Sequence, residues 1–207
     1  MRTVLCYGDS NTWGCEPGTG ARYPRDVRWP GRLQAALGDA WHVVEEGLGG
    51  RTATLDSPIM PGKNGLEYLI PCLASHAPLD AVVIFLGTND MADRYSLSAM
   101  EVARCAGRLA HVVRQSEAGI DGAPPVPILA CPPLLGDTQW DEGYQSAPAK
   151  SAVLAARFRA VADELGCELV DLGESTRYSD VDGIHLDADG HAAVARAIEP
   201  ALRNLFA

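Results

Sequence analysis

The stretch that decides the fold is Thr3-Val4-Leu5-Cys6-Tyr7-Gly8-Asp9-Ser10-Asn11-Thr12. Its first half is a short run without strict polar alternation, the pattern of a strand covered on both faces. Its second half turns abruptly polar. Working outward, the same change recurs after the runs His42–Glu45, Ala81–Leu86, Pro127–Cys131 and Glu168–Asp171. Helical stretches lie between these runs. Trp29–Leu37 precedes Gly38, which has the character of a helix-ending glycine. Leu66–His76 carries Pro71, which predicts a kink. Ser98–Glu117 opens on Ser98-x-x-Glu101, a capping box, and lines up Val102, Leu109, Val112 and Val113. Pro148–Leu165 and Asp187–Leu205 follow, with Asp187 as a cap and Pro200 as a bend. Strands alternating with helices predict an α/β protein with a parallel sheet. Ligands in such sheets bind beyond the carboxyl ends of the strands.

Composition limits the partners. The chain has 207 residues, long enough to bury a full core, and reads as a single domain over 1–207. A formal charge of −10 repels phosphate backbones and anionic lipid. Nucleic acid and membrane surfaces are therefore excluded as expected partners, and the charge reads as a solubility device. The cysteines are Cys6, Cys15, Cys72, Cys105, Cys131 and Cys167, with no C-x-x-C pair among them. That is neither a zinc framework nor a disulfide scaffold. The N-terminal apolar run is too short for a signal peptide, and no later run is long enough to span a bilayer. A reducing, cytoplasmic setting is expected.

The strand ends carry the chemistry. Gly8-Asp9-Ser10 follows the first run, Gly47-Leu48-Gly49-Gly50-Arg51-Thr52 the second and Gly87-Thr88-Asn89-Asp90 the third; Asp182-Gly183-Ile184-His185 follows the fifth. Ser10 alone reads more plainly as a helix cap. A serine becomes a nucleophile only when a base takes its proton, and His185 is suited to that task. Asp182, three residues earlier, can fold back through Gly183 to hold the imidazole. Asp180 is an alternative at a poorer spacing. Donors for a developing oxyanion are the Ser10 amide, the Gly50 amide and the Asn89 side chain. His42 starts a strand, His76 and His111 lie in helices without a paired acid at useful spacing, and His191 falls on the last helix; all four read as structural or surface residues. No H-x-H or H-E-x-x-H offers a metal site, so no cofactor is expected.

With Gly8-Asp9-Ser10, Gly50, Gly87-Thr88-Asn89-Asp90 and Asp182-x-x-His185 in this order, the chain resembles the SGNH (GDSL-like) hydrolase family over nearly its whole length. The resemblance implies a three-layer α/β/α sandwich of flavodoxin-like type with about five central strands. It also implies a triad of Ser10, Asp182 and His185, an oxyanion hole of Ser10, Gly50 and Asn89, and no metal. Asp26-Val27-Arg28-Trp29, Glu45-Glu46-Gly47-Leu48 and Val181 to His185 are similar to the bacterial arylesterase and acyltransferase branch, some members of which form oligomers. A homo-oligomer is an expectation on that ground. Asn11 stands where the family's name motif has leucine, with a small expected effect on the nucleophile. Cys15 stands where an acyltransferase-type member has a second tryptophan, which implies a smaller wall. Glu45 replaces an upstream asparagine.

The expected reaction is ping-pong hydrolysis of a small short-chain or aryl ester through an acyl-enzyme on Ser10. Activity should decline in acid as His185 protonates. Transfer of the acyl group to an alcohol, or removal of O-acetyl groups from carbohydrate, would use the same residues. Two readings come from other classes. A metal phosphoesterase would need an Asp-x-His that is missing, and a non-catalytic ligand-binding module would leave Ser10 inert. Candidate substrate contacts are Asp9, Trp13 and Cys15. Trp29 and Trp140 are possible pocket walls, although aromatics more often pack. Arg28 and Arg51 read better as solvated or salt-bridged than as ligand contacts. Residues 134–147 show no clear element and suit a lid or an oligomer contact.

Overall fold

A computed structural model describes residues 1–138 and 141–207. Five strands form one sheet: β1 (Arg2–Gly8), β2 (Trp41–Gly47), β3 (Ala81–Phe85), β4 (Val126–Cys131) and β5 (Glu168–Asp171). Every pairing is parallel, in the order β2-β1-β3-β4-β5. Each expected run is thus a strand, with ends shifted by no more than two residues. All five residues of β3 are fully buried, which is why that run carries no polar alternation.

The helices are α1 (Ser10–Trp13), α2 (Trp29–Leu37), α3 (Gly65–His76), α4 (Ala99–Gln115), α5 (Ala147–Ser151), α6 (Leu154–Leu165) and α7 (Ala188–Leu205). Between β1 and β2 the chain moves one way along the sheet. From β2 onward it moves the other way. Right-handed crossovers then send α2 to one face and α3, α4 and α6 to the opposite one. α7 returns to pack on α2, and α4 packs on α6. The result is the expected three-layer α/β/α sandwich.

Local signals act as read at several helix ends. Ser98 and Glu101 form a reciprocal capping box, and Asp187 accepts from the Gly190 amide. Pro71 and Pro200 lie inside α3 and α7. One expected helix is divided: Pro148–Leu165 is α5 and α6, separated at Ala152 and Val153. The direction reversal between β1 and β3 makes a crevice at the carboxyl edge, and the chain segments carrying Ser10 and Asn89 leave the sheet on either side of it.

Candidate active site

Ser10 is not the cap of the helix that carries it. Asp9 is the cap, its side chain accepting from the Asn11 amide at 2.9 Å, and Ser10 is the first residue of α1. The Ser10 hydroxyl therefore stays out of capping and lies 3.0 Å from His185 Nε2. The other ring nitrogen, Nδ1, lies 2.8 Å from Asp182 Oδ2. Asp182 Oδ1 also accepts from the backbone amides of Ile184, at 3.2 Å, and His185, at 3.0 Å. Burial pushes the Asp182 carboxyl up, but the His185 ring and those amides outweigh it and hold the group below the usual carboxylate range. The turn needs Gly183, whose φ is +74° and where a side chain would strike the Asp137 carbonyl. Asp180 is exposed, and Asp182 is the acid at the ring.

Asn89 links the remaining strand ends. Its Nδ2 donates to the Arg51 carbonyl at 3.0 Å and to Asp9 Oδ2 at 3.3 Å. One contact reaches the residue after Gly50 and the other the residue before Ser10, so all three candidate donors share one place. Gly50 adopts φ +76°, and among the described residues neither its amide nor that of Ser10 has an acceptor. The Tyr144 hydroxyl donates to Asn89 Oδ1 at 3.2 Å. Ser146 bonds Asp93, and Lys150 Nζ bonds the Met91 carbonyl at 3.0 Å. Tyr144 and Ser146, in the described part of the segment 134–147, thus bond the loop bearing Asn89, as does Lys150 just beyond it.

Three candidate contacts are redistributed. Asp9 is fully buried, so it cannot touch a ligand; it holds Asn11 and Asn89 from beneath. Cys15 lines a cavity of about 370 Å³ with Glu16, Gly18, Val181, Asp182 and His185. Trp13 is not in that lining and sits under the Arg22 guanidinium, 5.1 Å from its ring centre. Trp29 is fully buried core, and Trp140 lies outside the described residues. Arg28 is salt-bridged to Glu45 at 2.9 Å, as the sequence suggested.

Arg51 departs from its reading. It is 2% exposed, lies 4.3 Å over the Tyr7 ring, and donates to the Gly8 and Glu46 carbonyls. It thereby ties the ends of β1 and β2 together beneath Asn89. Its only sequence signal is adjacency to Gly50, which does not separate a buried arginine from a solvated one. His191 is likewise fully buried, and its Nδ1 accepts from the Trp29 amide at 3.3 Å. One trio among the described residues has metal-ligand spacing: Glu46, Cys72 and His76, within 4.8 Å of one another. Its groups already answer one another. His76 Nε2 lies 2.8 Å from Glu46 Oε1, and burial pushes the Cys72 thiol up to about 12.

A second buried acid lies behind the candidate oxyanion donors. Asp90 takes the Ala53 amide on both oxygens, at 2.9 and 3.1 Å, and burial, reinforced by the nearby Asp9, pushes it up to about 7 from an ordinary 3.8. The folded chain thus holds this proton more tightly than the unfolded one. The stability it contributes is complete below about pH 4 and is lost as the pH rises through about 7. Asp90→Asn is expected to flatten that slope, so the variant's melting temperature should gain on the wild type between pH 5 and pH 8. A constant difference across that range would show that Asp90 does not titrate there.

A serine, a histidine and an aspartate in relay at the carboxyl edge of a parallel sheet define an α/β serine hydrolase. The chain belongs to the GDSL-like lipase/acylhydrolase family, whose profile matches residues 6–193. It is a carboxylic-ester hydrolase of that family. The carbohydrate acetylesterase Est24 from Sinorhizobium meliloti is 36% identical, with a TM-score of 0.94 over 99% of this chain and 100% of that one. The aryl esterase of M. smegmatis is 34% identical, with a TM-score of 0.94 over 99% and 100%. A carbohydrate acetylesterase family member from Sinorhizobium meliloti is 38% identical, with a TM-score of 0.93 over 98% of each chain. No curated protein matches the chain. No helix among the described residues is long and apolar enough to cross a membrane.

Proposed function

We propose that the chain hydrolyses short-chain esters, acetyl esters foremost, through an acyl-enzyme on Ser10. The observation that carries this reading is the relay of 3.0 Å from Ser10 Oγ to His185 Nε2 and 2.8 Å from His185 Nδ1 to Asp182. His185 takes the hydroxyl proton as Ser10 bonds to the ester carbon, and the imidazolium is held by Asp182. His185 then protonates the departing alcohol. Water, activated by the same ring, releases the acid and restores Ser10.

The oxyanion is received by the amides of Ser10 and Gly50 and by Asn89 Nδ2. Both Asn89 Nδ2 hydrogens have resting acceptors, the Arg51 carbonyl at 3.0 Å and Asp9 at 3.3 Å, so the side chain yields one of these bonds to an oxyanion. Asn89→Ala is expected to lower kcat by about a hundred- to a thousandfold, the usual effect of losing one such donor. A variant within fivefold of wild type would remove Asn89 from the hole.

The names of the carbohydrate acetylesterase and aryl esterase relatives support a short acyl group on either a sugar or an aryl alcohol. The cavity of about 370 Å³ beside His185 supports a small substrate. A series of p-nitrophenyl esters from acetate to octanoate, with a peracetylated sugar alongside, tests this. The acetate is expected to give the highest kcat/KM, and a rise toward octanoate would refute the short-acyl reading. Six free thiols support a reducing, cytoplasmic setting.

A further inference from the structure

Asn11 stands directly after Ser10, is 1% exposed, and uses its side chain on a segment far away in the chain. Its Nδ2 donates to the Ile184 carbonyl at 3.1 Å, and its Oδ1 accepts from the Leu186 amide at 3.0 Å. These two residues flank His185. In the bend at Ile184 and His185, the Ile184 carbonyl and the Leu186 amide are both turned toward Asn11. A planar carboxamide offers one donor and one acceptor at matching spacing. The pairing also settles which way the amide faces, because the reversed arrangement sets donor against donor and acceptor against acceptor. Asn11 is held in turn, through its own amide, by the buried Asp9.

We propose that Asn11 is a positioning residue that sets His185 against Ser10. The inference rests on the reading of Ser10 as nucleophile and His185 as base. The nucleophile and its clamp are adjacent in a helix turn, and the base lies between the two clamped residues. The 3.0 Å gap from Ser10 to His185 is therefore bridged by a short rigid path rather than by the long chain between them. A leucine at this position, as in the family's name motif, makes neither bond. The base would then depend on the Asp182 turn and its other contacts alone. Asn11 thus does more than its sequence position suggests: it leaves the nucleophile's own chemistry alone and acts on the base.

The test is a double-mutant cycle with p-nitrophenyl acetate. Asn11→Leu is expected to lower kcat about 10- to 100-fold with KM within threefold, the scale of a misplaced reacting group. Labelling of Ser10 by a fluorophosphonate should slow by the same factor. In the His185→Ala background, Asn11→Leu should change nothing further, because the group it positions is gone. Asn11→Asp, which keeps the acceptor and loses the donor, should also lower kcat, and serves if the leucine variant does not fold. A leucine variant with kcat within twofold of wild type overturns the proposal. So does an equal loss in both backgrounds, which would mark a general structural role. A fully active His185→Ala would overturn the site reading itself, and the inference with it.

Discussion

Ser10→Ala is expected to lower kcat by about a millionfold, the scale seen when a serine hydrolase loses its nucleophile. The reason is local. The hydroxyl has one partner among the described residues, His185, and no capping duty, since Asp9 caps α1. Alanine removes the bond-forming oxygen while leaving the helix, the Asp9 network and the Asn11 clamp untouched. The melting temperature should therefore stay close to wild type while turnover vanishes. Mass spectrometry after fluorophosphonate treatment supplies the second readout: one adduct on Ser10 in the wild type and none in the variant. A variant retaining a tenth of wild-type kcat would refute covalent catalysis at Ser10.

Asp182→Asn is expected to cost about ten-thousandfold in kcat. The carboxylate accepts from the ring at Nδ1, which leaves Nε2 bare to take the Ser10 proton. An asparagine can instead present its NH₂ to Nδ1 and drive the ring proton to Nε2, where it blocks the serine. It also gives up the negative charge that steadies the imidazolium. The Ile184 and His185 amides still find an oxygen, so the turn survives and the loss is one of tautomer and charge. Melting temperature measured alongside kcat separates this from a loss of folding. A loss below tenfold would sink the role assigned to Asp182.

Much of the fold was legible because its signals are local and strong. β3 is apolar throughout because both faces are covered, and the capping box at Ser98 announces α4 in four residues. Two features were not legible. The helix of only four residues at Ser10 is too short for any periodicity, so Ser10 reads as the cap while Asp9, one residue earlier, fills that position. The break at Ala152 and Val153 lies in a stretch where helix propensity continues on both sides. It is decided where α5 meets the Asn89 loop and α6 packs on α4.

The site divides in the same way. By itself the sequence determined the inventory and its order: a serine, a glycine turn, an asparagine and an Asp-x-x-His unit at successive strand ends. Local chemistry suffices there, because each unit is a strand followed by a turn. The support of those groups was decided by tertiary structure alone. Arg51 is buried over Tyr7, Asp9 lies under Asn89, Tyr144 reaches Asn89 across 55 residues, and Asn11 grips both sides of His185 across 173 and 175. The physical reason is that burial and long-range hydrogen bonding depend on which strand ends become neighbours. That neighbourhood is set by the order β2-β1-β3-β4-β5, and no local pattern carries it.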